Sequence, residues 1–282
     1  MIDTSAFCAG LVREADRDRY LATLFVPEPA RSHLYALYAF NAEIARIREV
    51  VSQPTPGEIR LTWWREVVEG GRAEEAAGNP VASSLLRAIE ENKLPRQPIV
   101  DLLDARILDL YDDPIPTLED LEGYCGETSS ALFRLASIVA AGGEDPGGAD
   151  VAGHGGVAYA LTGLMRALPR HAAQGQLFLP TELLARHGVR RDDVLSGRTS
   201  EGLAAALKEL RGHARRHFEA ARAAFSTVRE DARVAFLPLA LVPGDLRRLE
   251  KQGGAVFAGS PETPQWRRQL TLWRAARRGK LS

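Results

Sequence analysis

Two helical stretches carry the residues whose spacing could hold metal ions, and each lacks acids that such a site would need. In the first, Tyr38-Ala39-Phe40-Asn41-Ala42-Glu43-Ile44-Ala45-Arg46-Ile47-Arg48-Glu49, helical phase puts Leu34, Tyr38, Asn41, Ala45 and Glu49 on one face. Carboxylates four apart on such a face stand about 6 Å apart at the backbone, a spacing that suits shared Mg²⁺ ions. Glu49 is the one acid on this face, and Arg46 and Arg48 bring positive charge beside it. Mg²⁺ takes several hard oxygen ligands, so one Glu near two cations holds it poorly. Asn41 is either a ligand contact or a satisfied polar core residue.

The second stretch runs from Tyr159 to Pro180. Ala160, Gly163 and Ala167 share a face, with His171 beyond Pro169. A neutral imidazole is a weak replacement for carboxylate at Mg²⁺. The three small residues either let a neighbouring helix fill the space or leave an apolar slot for an isoprenoid or lipid tail. His154 and His171 read as hydrogen-bonded helix-end residues ahead of acid–base catalysts. Asp109-Leu110-Tyr111-Asp112-Asp113 superficially resembles a ligand box, but Pro114 follows at once, so the run ends its helix and Asp112 and Asp113 read as solvated. His213 and His217 have the i, i+4 spacing that can hold Zn²⁺. No third ligand is suggested for them and cations adjoin, so an exposed helix face is the plainer reading. No metal and no other cofactor is expected.

The elements that must position these residues all read as helices. Ala, Leu, Arg and Glu dominate, and 3.6-residue periodicity is punctuated by Pro and Gly. Helices are expected from Ala30 to about Val51, from near Gly57 through Trp63 and Trp64, and over Pro80–Asn92 and Gln97–Tyr111. Others are expected over Leu118–Ala140, Val151–Leu168, and Thr181–His187 with Thr181 as N-cap. The remainder falls at Ser200–Arg229, at Asp231–Glu250 with a break near Pro238 or Pro243, and at about 265–279. With no repeat or long linker, residues 1–282 form one domain.

The chain has 282 residues, 45% hydrophobic and 26% charged, with a formal net charge of −1. That balance gives no global field for nucleic acid. Cys8 and Cys125 lack metal or disulfide spacing and fit a reducing compartment. The start, Met1-Ile2-Asp3-Thr4-Ser5, does not read as a signal peptide, and no apolar run is long enough to span a bilayer. A cytoplasmic location is expected, with at most a peripheral contact at the inner face of a membrane.

That contact would come from the C-terminal stretch, which carries six cations and no acid between Pro264 and Lys280. Trp266, Leu270 and Trp273 recur at i, i+4, i+7 and are edged by Arg267, Arg274 and Arg277. An amphipathic helix of this kind suits an anionic membrane surface. The alternative is a terminal helix that docks its Trp face on the domain and leaves Arg in water. The patch is too short for a nucleic-acid partner.

Taken with Arg31, Asn79-Pro80-Val81 and Tyr124-Cys125, the two motifs resemble those of the squalene/phytoene synthases over about Arg19 to Gly188. Those enzymes carry Y-A-F-C-R-x-x-D-D-x-x-D and Q-L-T-N-I-L-R-D-V-G-E-D. The resemblance implies an all-α isoprenoid-synthase-like helical bundle around a central cleft. It also implies that two Asp ligands of each motif fall on Ala45 and Glu49, and on Ala167 and His171. The family's Gln and Asn fall on Ala160 and Gly163, its diphosphate-holding Arg residues on Ala173, Gln174 and Gln176, and its Tyr on Phe178. Thr128, Ser129 and Ser130 replace a Val-Ala-Gly. The pattern is similar to a divergent branch linked to assembly of mitochondrial complex I. That branch implies a non-catalytic accessory role, with membrane-complex assembly partners or an isoprenoid or lipid ligand. The alternative is an active head-to-head prenyltransferase whose Mg²⁺ site is rebuilt from Glu49 and Glu43, with Asp109 or Glu127, and with Arg48 in the cleft.

Overall fold

The computed structural model describes residues 3–111, 113–258 and 263–281. No β-strand occurs among them, and the chain folds as a helical bundle. Two helices precede the first one expected: α1 (Thr4–Ala15) and α2 (Arg17–Thr23). Each starts on an aspartate cap, Asp3 accepting from the Ser5 and Ala6 N–H groups and Asp16 from that of Arg19.

Helix α3 (Ala30–Ala45) stops earlier than the periodicity predicts. Arg46 relaxes to φ −86, ψ −7, and a single turn, α4 (Ile47–Val50), follows. Next come α5 (Pro54–Glu69), α6 (Ala73–Gly78), α7 (Pro80–Glu91), α8 (Gln97–Ala105) and a 3₁₀ turn over Arg106–Leu110. The stretch expected as one helix from Leu118 to Ala140 is α9 (Leu118–Cys125) and α10 (Ala131–Ala140), joined through a π turn at Gly126–Ser130. Helix α11 (Ala149–Ala173) runs past its expected end, with Pro169 inside it. The proline removes one N–H from the ladder near the C-terminus without breaking it.

The short α12 (Thr181–Arg186) starts after Pro180, so Thr181 is not its cap; the Thr181 hydroxyl instead donates to the Pro116 carbonyl at 3.0 Å. Then follow α13 (Arg191–Leu195) and α14 (Glu201–Ala224). Where a helix was expected from Asp231, residues Glu230–Leu241 form a 3₁₀ segment, and α15 (Val242–Gln252) begins with Pro243 in its first turn. Helix α16 (Gln265–Arg278) closes the chain.

The core gathers on α3, α10, α11 and the 3₁₀ segment, with Phe40, Phe133 and Phe236 fully buried. Phe133 stacks on Phe236 at 5.9 Å between centroids, and Phe40 meets the edge of Trp64 at 5.0 Å. Close approach between backbones occurs at Gly156 of α11, where an added Cβ would lie 2.4 Å from Ser130 Cα of the π turn. Among the described residues no helix is long and apolar enough to cross a membrane.

Helix α16 docks on the domain, but not by its Trp face. It buries Arg268, Leu272 and Ala275 against Leu21 and Ala22 of α2 and Leu237, Ala240 and Leu241 of the 3₁₀ segment. Trp266 and Trp273 remain 59% and 47% exposed.

Candidate functional site

A central cavity of about 310 Å³ opens between α3, α4, α9, the π turn and α11. Asn41, Ala45, Arg48 and Glu49 of the first stretch line it, and so do Ala160, Gly163, Ala167 and His171 of the second. The small residues leave a slot there: an added Cβ on Gly163 would meet nothing within 4 Å. His171 reaches the wall because α11 continues through Pro169, which keeps it one turn beyond Ala167 on the same face.

A wider groove of about 1070 Å³ adjoins the cavity and shares Asn41, Ala45, Glu49 and Arg170 with it. Glu43 and Arg46 line this outer groove, away from the inner wall. Burial raises the Glu43 carboxyl above its usual range. Glu127 is exposed on the π turn and lines neither space. The acids proposed to rebuild a metal site therefore do not converge.

Part of the cavity's charge, that of Arg19, Arg106 and Asp109, comes from residues outside the two motifs. Arg19 of α2 is buried, bonded to Asp16 at 3.0 Å, with its guanidinium 5.1 Å from the Tyr159 ring and 5.3 Å from that of Tyr38. Arg106 bonds Asp109 at 2.9 Å and Tyr124 at 2.8 Å, and the Tyr124 hydroxyl donates to the other Asp109 oxygen at 2.7 Å. The Gln176 amide donates to the Asp109 carbonyl at 2.9 Å. Asp109 is thus buried in the wall; Asp113 is exposed, and Asp112 lies outside the described residues. Sequence reasoning passed over Arg106 because it sits in a 3₁₀ turn far from either motif. Its i, i+3 spacing from Asp109 was the available signal.

Among the described lining residues, the four guanidinium groups of Arg19, Arg48, Arg106 and Arg170 face the two carboxylates of Glu49 and Asp109. His171 registers that excess: burial, then Arg170 and Arg106, hold its imidazole down at about 4, so it is neutral at pH 7. Its ring packs on Phe178 at 4.9 Å. Buried Ser129 Oγ, Asn41 Oδ1 and Arg106 Nε have no hydrogen-bond partner, so the wall keeps polar capacity for a bound molecule.

Mg²⁺ does not fit this donor set. Both Asp109 oxygens are engaged by Arg106 and Tyr124, and Glu49 faces Arg170 at 3.7 Å. The remaining ligand positions hold Ala45, Ala167 and a neutral imidazole. Among the described residues no group of three or more His, Cys, Asp and Glu could hold a metal ion. His213 and His217 do not form an exposed face. They are half-buried with Glu122, which lies 3.6 Å and 3.2 Å away, and His154 Nδ1 meets His217 Nδ1 at 3.0 Å.

The sequence pattern of the squalene/phytoene synthase family matches residues 12–274. The human NADH dehydrogenase (ubiquinone) complex I, assembly factor 6 is 29% identical over 254 residues, covering 90% of this chain and 76% of that protein. The phytoene synthase of Thermus thermophilus is 25% identical over 261 residues, covering 91% and 86%. A dehydrosqualene synthase crystal structure superposes with a TM-score of 0.83 at 20% identity, over 98% of this chain and 96% of that one.

Proposed function

The chain belongs to the squalene/phytoene synthase family, and from that membership we propose that it is a non-catalytic accessory factor in the assembly of a membrane respiratory complex. In this reading its cavity holds an isoprenoid or lipid with an anionic head. One observation carries the proposal: of the four positions where the family motifs place metal-binding aspartates, Ala45, Ala167 and His171 hold no acid and Glu49 faces Arg170, while four arginines line the cavity. Family catalysis needs divalent ions to neutralise a leaving diphosphate. A wall of fixed guanidinium groups can hold an anion directly, but it supplies no ion bridging two phosphates. The similarity to complex I assembly factor 6 supports the choice of partner, a complex I-like membrane assembly, with the chain working beside the membrane.

Two assays test this. Farnesyl and geranylgeranyl diphosphate, supplied with Mg²⁺ or Mn²⁺ beside an active synthase as control, should give no diphosphate release and no hydrocarbon. A strain deleted for the chain should lose assembled NADH:quinone oxidoreductase and regain it on complementation. Metal-dependent hydrocarbon product would replace this reading with that of a head-to-head prenyltransferase. Normal complex assembly in the deletion strain would remove the assembly role.

A further inference from the structure

Helix α16 presents three stripes, because successive side chains advance by about 100° around a helix. The stripe of Arg268, Leu272 and Ala275 is buried in the domain. Opposite it, Trp266, Leu270, Trp273 and Arg277 face outward, with the Arg267 guanidinium 5.1 Å from the Trp266 ring and that of Arg277 5.4 Å from Trp273. Between them, Arg267, Thr271, Arg274 and Arg278 form one wall of a groove of about 590 Å³. Its other wall is α15, which adds exposed Arg247 and Lys251. The acid in this lining, Asp245, is buried and bonded to Arg268 at 3.2 Å and Arg166 at 3.0 Å, so it does not offset the surface charge.

We infer that this face, the Trp stripe together with the α15–α16 groove, seats the protein on an anionic lipid bilayer. Two exposed tryptophans on one stripe match the interfacial layer, where an amphipathic ring has its apolar body in acyl chains and its N–H among headgroups. The groove beside them is lined by the cations Arg247, Lys251, Arg267, Arg274 and Arg278, which complement lipid phosphates in charge. The chain as a whole is near neutral, at −1, so this is a local field aimed at one surface. Docking on the domain and contact with the membrane are not alternatives for α16. Its buried stripe does the first and leaves the other two stripes free for the second.

Flotation of the full chain with vesicles of phosphatidylcholine alone, or with 30% phosphatidylglycerol, tests this. Each cation near an anionic surface contributes roughly fivefold to partitioning. Binding to the anionic vesicles should therefore exceed that to neutral ones by at least about tenfold and fall with added salt. Reversing Arg247, Lys251 and Arg274 to Glu should abolish it. Trp266→Ala with Trp273→Ala should weaken it by about tenfold and remove the blue shift of Trp emission on binding. All five positions are exposed, so unfolding midpoints should hold. Equal binding to both vesicle types, unchanged binding of the Glu variant, or tight binding of a 30-nucleotide RNA with none to vesicles would overturn the assignment. Prenyl diphosphate turnover and complex assembly are scored separately, so failure here leaves the proposed function standing.

Discussion

Arg268 on the last helix bonds Asp18 on the second, joining residues 250 positions apart in the chain. The guanidinium also meets Asp245 of α15 at 3.2 Å, and all three residues are buried. This ion pair, with Leu272 and Ala275 on the same buried stripe, ties α16 to the bundle.

Removing that cation should be costly. Arg268→Ala leaves two buried carboxylates facing each other, with Arg166 and Arg248 at 3.0 Å and 3.5 Å from Asp245 as partial compensation. Breaking a buried pair from one side costs about 3–5 kcal/mol. Urea unfolding should show a loss near that range. Adding Asp18→Asn and Asp245→Asn should recover part of it, and a loss below about 1 kcal/mol would contradict the buried-network account.

Two glycines of one helix should respond in opposite ways. Gly156→Ala drives a methyl into the Ser130 backbone and should cost about 2–3 kcal/mol. Gly163→Ala adds a methyl in open space and should gain about 0.5–1 kcal/mol of helix stability. That methyl also projects into the cavity, so uptake of a fluorescent isoprenoid probe should fall while the melting temperature rises.

His171 predicts a pH dependence. Its imidazole titrates near 4 when folded and near 6.5 when unfolded, so the unfolded chain binds the proton first as pH falls. Its stabilising contribution is complete above about pH 6.5 and is lost as pH drops towards 4. On the order of 2–3 kcal/mol is at stake. Comparing wild type with His171→Gln by chemical denaturation at pH 7 and 4.5 should show the pH loss shrinking in the variant. Inorganic diphosphate in the cavity should raise the His171 value by about one unit, read from its ring C–H resonances. No change at saturating anion would contradict an anion-binding wall.

Metal removal should be silent. A donor set of Glu49 facing Arg170 and Asp109 engaged by Arg106 and Tyr124 gives Mg²⁺ little purchase. Unfolding midpoints in EDTA and in 10 mM MgCl₂ should agree within about 1 °C. A rise of several degrees with Mg²⁺ would mean a site built from other residues.

Much of this protein is legible in its sequence because helical periodicity and motif spacing are local properties. The face shared by Asn41, Ala45 and Glu49, and that shared by Ala160, Gly163 and Ala167, follow from 3.6 residues per turn, and both stretches line the same cavity. Local rules also misjudged ends. Pro169 reads as a terminator, yet α11 continues past it to Ala173 and delivers His171 to the wall. The family frame and the absence of acids at Ala45 and Ala167 needed no coordinates.

Charge and exposure were decided by tertiary contacts. Arg19 reaches the cavity from α2 and the Arg106–Asp109 pair from one 3₁₀ turn, and no spacing along the chain says that these two elements converge with Arg170. The sequence shows three stripes on α16 but not which one is buried, since Trp and Leu are the more apolar choice. The structure buries the Arg268 stripe, where Asp18 of α2 and Asp245 of α15 meet the guanidinium and Leu272 and Ala275 meet the apolar side chains of α2 and the 3₁₀ segment, contacts that form only once those elements are placed.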